Sequence, residues 1–211
     1  DMSGCGILCL PDGRYDDELL ALYGLADAGH LLPRLADPTD VVGRVTANAA
    51  AQTGLAEGTP VIAGFFDVIS SAIGSGVVAS GDASIIAGTW SINQVFSETA
   101  VRDPNVFMVA KFGDKRFVTI ESSATSASNL EWYVREIVER HGQIENPFAL
   151  CNDRIAAIQP AADDPLFHPY LFGSRLGAEC RAGFYGLAGW HGEGHLLRAL
   201  FEGVMFEHRR H

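Results

Sequence analysis

Apolar and polar positions alternate along this chain in three regimes. The first is short and punctuated. Pro11-Asp12-Gly13-Arg14 marks a turn, and Tyr15-Asp16-Asp17-Glu18-Leu19-Leu20-Ala21-Leu22 starts a helix, with acids in its first turn and leucines behind them at helical spacing. Leu31-Leu32-Pro33 ends a short loop after Gly29. Asp40–Thr46 predicts an extended stretch or short strand, and Ala47–Thr53 a short helix closed by Gly54.

The second regime is β-rich. Pro60-Val61-Ile62-Ala63-Gly64-Phe65-Phe66 is an apolar run bounded by Gly58-Thr59-Pro60; it reads as a buried strand that stops on Asp67. Val68–Gly74 is small and helix-compatible, so Asp67 falls at a strand-to-helix junction. Ala83–Ala87 predicts a second buried strand ending at Gly88-Thr89, and Ile92–Phe96 returns as another. Val106–Ala110 and Arg116–Ile120, joined by Gly113-Asp114, form a hairpin pattern that Glu121-Ser122-Ser123 breaks.

The third regime is helical. From Ser126 to about Arg140, Leu130, Tyr133, Val134, Ile137 and Val138 share one side, with Glu131, Arg135, Glu136 and Glu139 on the other. Pro147–Ile158 is a short helix, and Phe167–Phe172 a short apolar segment whose aromatics suit a core. Residues 181–195 are glycine-punctuated and too flexible for helix. From His195 an amphipathic helix runs to the end, with a stripe of Leu196, Leu197, Leu200, Phe201, Val204 and Met205. Together these predict an α/β domain with a mixed sheet and flanking helices.

Composition narrows the function. With 47% hydrophobic and 19% charged residues the chain is globular, and at 211 residues it can bury a substantial core. A net charge of -11 argues against nucleic acid as the main partner. It does not exclude ATP, because Mg²⁺ travels with the nucleotide. The four cysteines contain no CxxC and no second pair to complete a zinc site, so they read as thiols of a reducing compartment. The apolar span 58–80 is interrupted by Asp67, glycines and a proline, and reads as α/β core, not membrane. No signal peptide is visible. Asp1 opens the sequence without a methionine and Arg209-Arg210-His211 closes it inside a helical pattern, so the chain is expected to be a piece of something longer.

Two features carry chemistry. Asp67 is an acid with no Lys or Arg between positions 45 and 101. Gly88-Thr89 is a turn where a missing Cβ lets backbone N–H groups approach an anion and a hydroxyl can add a hydrogen bond. An acid that takes a proton and a turn that holds phosphate suggest phosphoryl transfer to an alcohol. The plainer reading makes the first a helix cap and the second only a turn. His191-Gly192-Glu193-Gly194-His195 lacks the His-Glu-x-x-His spacing of a helical zinc site, so His195 reads as a helix-start residue. His208 and His211 are expected to be solvated or partly packed.

Three motifs in order resemble the FGGY family of carbohydrate kinases over nearly the whole chain. Gly58–Asp67 is similar to the family's linker strand with its catalytic aspartate, and Ala87-Gly88-Thr89 to its phosphate-binding hairpin. Ala182–Glu202 is similar to its second signature, with Gly186-Leu187, His195-Leu196 and Arg198-Ala199-Leu200-Phe201-Glu202-Gly203. Gly88–Asn93 and Ser126–Trp132 look most like the L-xylulose kinase branch. The resemblance implies an incomplete actin-like ATPase (ribonuclease H-like) fold. Residues 1–62 would be the C-terminal part of a sugar-binding lobe, and 63–211 a nucleotide-binding lobe truncated at its C-terminal end. The first phosphate hairpin and the adenosine-binding segment would lie outside the chain.

It further implies a cytoplasmic, ATP- and Mg²⁺-dependent kinase acting on a pentulose or related sugar or polyol, and a homodimer. Asp67 would be the base, with Phe66 beside it against the sugar, although a core-packing role suits Phe66 at least as well. Gly88 and Thr89 would hold phosphate. Ser128 and Asn129 would line the nucleotide site, against an N-cap role that suits them at least as well. No residue is assigned to a metal. The alternative is a non-catalytic actin-like nucleotide-binding or scaffold module.

Overall fold

The computed structural model describes residues 4–10, 12–113 and 115–211. They divide into two compact units, Asp1–Ser84 with Gln94–Ile120 and Ile85–Asn93 with Glu121–His211. No helix among the described residues is long and apolar enough to cross a membrane.

In the first unit β1 (Leu8–Cys9) and β2 (Arg14–Tyr15) pair antiparallel around the expected turn, whose Pro11 lies outside the described residues. Helix α1 (Asp17–Leu22) starts where the acids place it. The Asp16 carboxylate accepts from the Glu18 and Leu19 amides, each at 3.1 Å. A 3₁₀ segment, Ala26–Leu31, fills the expected loop. Strand β3 (Val41–Arg44) and helix α2 (Ala47–Thr53) follow the predicted bounds; Thr46 caps α2 and Gly54, at φ 76°, ends it in the left-handed region.

The run leading to Asp67 is not a buried strand. Strand β4 (Pro60–Ile62) has three residues, all exposed, and pairs only with β3. Gly64, at φ 87°, turns the chain out of the extended conformation, which only glycine does without strain. A two-stranded ribbon also leaves its faces open unless another layer covers them. Helix α3 (Asp67–Gly74) then begins on Asp67.

Four strands form the main sheet in the order β5 (Ala83–Ala87), β6 (Ser91–Ser97), β8 (Arg116–Ser123) and β7 (Met108–Phe112). β5 is also not fully buried: half-buried and exposed residues alternate along it, and Ile85 is exposed. An apolar run alone does not distinguish one covered face from two. β7 and β8 form the predicted antiparallel hairpin, in register from Met108↔Ile120 to Phe112↔Arg116. Its turn holds Gly113; Asp114 lies outside the described residues. β8 does not break at Glu121 but runs on to Ser123, because Ser122 and Ser123 are buried. The core of the first unit holds Ile69, Ala72, Phe96, Phe112, Val118 and Ile120. Phe96 meets Phe112 edge-on at 5.0 Å between centroids.

In the second unit α4 (Ala127–Tyr133) gives way to a π-helical stretch, Val134–Val138, instead of continuing as α-helix. A π turn takes in one more residue than an α turn, so the apolar stripe slips. Tyr133 and Val134 are buried while Ile137 is exposed. Helix α5 (Pro147–Ala156) is capped by Asn146, whose side chain accepts from the Ala149 amide at 3.1 Å. β9 (Leu166–His168) pairs antiparallel with β10 (Gly183–Tyr185), a strand inside the glycine-punctuated stretch.

Helix α6 (Glu193–Arg210) starts ahead of His195, whose Nδ1 accepts from the Gly192 amide at 3.1 Å. Its buried residues are Leu197, Ala199, Leu200, Gly203, Val204, Glu207 and His208, whereas Phe201 and Met205 of the predicted stripe are exposed. His208 is thus inside, not solvated. Tyr133, Val134, Cys151, Phe167, Leu197 and Leu200 form the core, each large apolar member contributing about 1.5–3 kcal/mol.

Gly203 is what lets α6 lie so close to β9: a Cβ there would overlap the Phe167 carbonyl oxygen. Gly203→Ala gains roughly 1 kcal/mol of helix propensity but must push backbone apart, at about 1–3 kcal/mol or more. A net loss of stability is expected, read as a lower urea midpoint.

Candidate active site

The sequence-derived residues fall into two groups, one in each unit. In the first unit, Gly64 swings the chain from β4 so that Phe66 occupies the N-cap position of α3 and Asp67 its first turn. Phe66 makes no side-chain capping bond. Phe65 and Phe66 are both half-buried, and the Phe65 ring lies 5.4 Å from that of Phe112. Asp67 is exposed, and its Oδ1 accepts from the Val68 amide at 2.7 Å. It has no ion pair among the described residues. The helix N-terminus favours negative charge there. The carboxylate therefore has a fixed root and one oxygen without a protein partner among the described residues.

A cavity of about 540 Å³ opens in the same unit, with Arg34, Asp37, Asp40, Gly64, Phe65 and Lys111 in its walls. Asp67 is not among its lining residues.

In the second unit the turn after β5 is closed by a bond from the Gly88 amide to the Trp90 carbonyl at 3.2 Å. The Gly88 carbonyl accepts from the Ala127 amide at 2.9 Å, which ties the turn to the start of α4. Thr89 is exposed. Nothing within the turn requires glycine. Gly88 does not have positive φ, and a Cβ would meet Ile86 and Trp90 only at 3.7 Å, ordinary contact distance.

Neither Ser128 nor Asn129 is the N-cap of α4. That position belongs to Ser126, which makes no side-chain capping bond. The Ser128 hydroxyl instead donates back to the Ala124 carbonyl at 3.2 Å, and Asn129 Nδ2 donates to the Ser126 carbonyl at 3.1 Å. Both side chains are buried, and Asn129 Oδ1 and Ser126 Oγ find no partner there. Beside them lies an apolar cleft of about 170 Å³, lined by Ala87, Ser126, Leu130, Leu200, Phe201 and Met205 among others.

Sequence reasoning missed the polar ties behind the turn. The Ser91 hydroxyl lies 2.7 Å from that of Ser123, which lies 2.6 Å from that of Thr125, all buried. Asn93 meets His208 through two bonds of 2.6 Å. The available signal was a strand, Ser91–Ser97, with small polar residues where apolar ones suit a covered face. Among the described residues no group of three or more His, Cys, Asp or Glu is placed to hold a metal ion.

Family comparison assigns two successive stretches of the chain, whose boundary differs from that between the two units, since 94–120 belongs to the first unit. Residues 1–74 match the N-terminal domain, and 83–211 the C-terminal domain, of the FGGY family of carbohydrate kinases, and the chain belongs to that family. It is 36% identical over 202 residues to the L-xylulose/3-keto-L-gulonate kinase of Escherichia coli K12, covering 94% of this chain and 39% of that protein. To a probable L-xylulose kinase of Haemophilus influenzae it is 37% identical, covering 95% and 40%. Among solved structures, xylulose kinase from Rhodospirillum rubrum superposes with a TM-score of 0.80 at 30% identity, over 96% of this chain and 40% of that one. The fold is accordingly that of the actin-like ATPases, and the chain spans about 40% of the length of the relatives it matches.

One electrostatic feature of the second unit is open to measurement. Burial pushes the Glu207 carboxyl up, but His211, with Nε2 at 3.6 Å, and Arg210, bonded through Nη2 at 2.5 Å and Nε at 3.0 Å, reverse this and hold it at about 2. A carboxyl lowered in the folded state from its ordinary 4.5 binds fewer protons than the unfolded chain. Its stabilisation is full above about pH 4.5 and is lost as pH falls toward about 2. The unfolding free energy from urea titrations should fall between pH 5 and pH 3 by about 1–3 kcal/mol in total, and Glu207→Gln should flatten that decline.

Proposed function

We propose that the protein is a sugar kinase that transfers the γ-phosphoryl group of MgATP to a hydroxyl of a pentulose or related sugar or polyol, with Asp67 as base. The observation that carries this is the state of Asp67 in a member of this family: an exposed carboxylate at the head of α3, without an ion pair among the described residues. A carboxylate so held can accept the sugar hydroxyl's proton as that oxygen attacks phosphorus. Half-buried Phe66 stands next to it to pack against the sugar's carbon face. Relatives named for L-xylulose favour a pentulose as acceptor.

Gly88 and Thr89 bind phosphate oxygens in this proposal. A glycine that the turn itself does not need leaves space for an anion to reach backbone N–H groups, and the exposed Thr89 hydroxyl adds a donor. Ser128 and Asn129 form the polar floor beneath the turn, where Asn129 Oδ1 stands unmatched. Mg²⁺, bound through the nucleotide's phosphate oxygens, supplies charge neutralisation; such an ion needs few protein ligands. The same proposal assigns 1–62 to a sugar-binding lobe and 63–211 to a nucleotide-binding lobe, and carries a cytoplasmic location and a homodimer.

Asp67→Asn in the full-length polypeptide should lower kcat by about 10²–10⁴ while leaving MgATP affinity within about twofold. Near-normal turnover in that variant removes Asp67 from the role. Nucleotide binding by the unchanged protein without sugar-dependent ADP release, across a panel of pentuloses, hexuloses and polyols, supports the non-catalytic module instead. Gly88→Ala should keep stability within about 0.5 kcal/mol yet raise the KM for MgATP, measured by initial rates.

A further inference from the structure

We infer that Asn93 and His208 are positioning residues that set the place of the Gly88–Thr89 turn; the inference rests on the reading of that turn as phosphate-binding. The turn itself is poorly held by apolar packing. β5 enters it half-exposed, and Thr89 and Trp90 at its tip are exposed. Polar ties hold it instead. On its entry side the Gly88 carbonyl accepts from the Ala127 amide. On its exit side Ser91 is buried against Ser123, and Asn93 is fastened to α6.

That last tie is reciprocal. Asn93 Nδ2 donates to the His208 carbonyl at 2.6 Å, and Asn93 Oδ1 stands 2.6 Å from His208 Nδ1. With an amide oxygen opposite it, Nδ1 must carry the proton. A neutral ring then keeps its lone pair on Nε2, which is buried and finds no partner. An unmatched buried polar atom costs about 1–3 kcal/mol, and a leucine at 208 would pack without that cost. The fold bears it at a point where the strand leaving the turn is joined to a helix far along the chain. Of the two bonds, only the one from Nδ1 needs the His208 side chain; the other uses its backbone. Losing that bond lets β6, and with it the turn, shift relative to α6 and the start of α4.

The test is a steady-state and equilibrium comparison in the full-length polypeptide. Asn93→Ala and His208→Leu should each raise the KM and Kd for MgATP about 5- to 20-fold, leave the sugar KM within about twofold, and lower the melting temperature by only a few degrees, since each leaves a buried polar partner unmatched. His208→Asn places an amide nitrogen where Nδ1 lies and should recover most of the nucleotide affinity. Unchanged nucleotide affinity in Asn93→Ala overturns the inference. So does an equal rise in both KM values together with a lowered melting temperature, or a failure of His208→Asn to recover. Absence of turnover in the unchanged polypeptide sinks the kinase reading alone, because the MgATP Kd series still reports on the tie. Absence of any nucleotide binding sinks both.

Discussion

The second unit depends on how closely α6 approaches the backbone of β9. Gly203 removes the one Cβ that would hold the helix off the Phe167 carbonyl. With that spacing, Leu197 and Leu200 reach the core shared with Tyr133, Cys151 and Phe167. The same placement decides which end residues of α6 are inward: Glu207 and His208 are drawn inside, and each brings a polar partner with it. A hydrophobic contact thereby dictates where the polar ties of the unit form.

Much of this was legible in the residues, and what was not has identifiable causes. The acids before Leu19 marked the start of α1 and Gly54 the end of α2, because helix-end signals act locally, whereas the capping roles of Asp16 and Thr46 were not read. The sheet strands and the β7–β8 hairpin were readable from their apolar runs. Burial was not: Pro60–Ile62 and Ala83–Ala87 look like core strands, yet which faces are covered depends on layers far away in sequence. The π turn after Tyr133 escaped because a helical period gives no sign of an inserted residue. At the candidate site, Asp67 and the Gly88-Thr89 turn were proposed from strand ends and glycine chemistry, although β4 ends at Ile62, well short of Asp67. Asn93 and His208 were not singled out, since a pair 115 residues apart leaves no local pattern.

The proposed chemistry has a particular electrostatic setting along the chain. With no Lys or Arg between positions 45 and 101, neither Asp67 nor the turn has a basic side chain close in sequence. In the proposed reading, backbone amides of the turn and the cation that accompanies the nucleotide contribute to stabilising phosphate charge. Oriented peptide dipoles change little during the reaction, so they stabilise charge without reorganisation.

The π turn at Val134–Val138 has a consequence for the helix that carries it. Such a turn closes its hydrogen bond over one residue more than an α turn does. Removing one residue there would restore ordinary winding and rotate everything downstream by about 100°. Ile137, now exposed, would come to a different face, while the segment before Tyr133 would keep its own. The helix thus contains a seam at which its distal half can be re-registered independently of its proximal half.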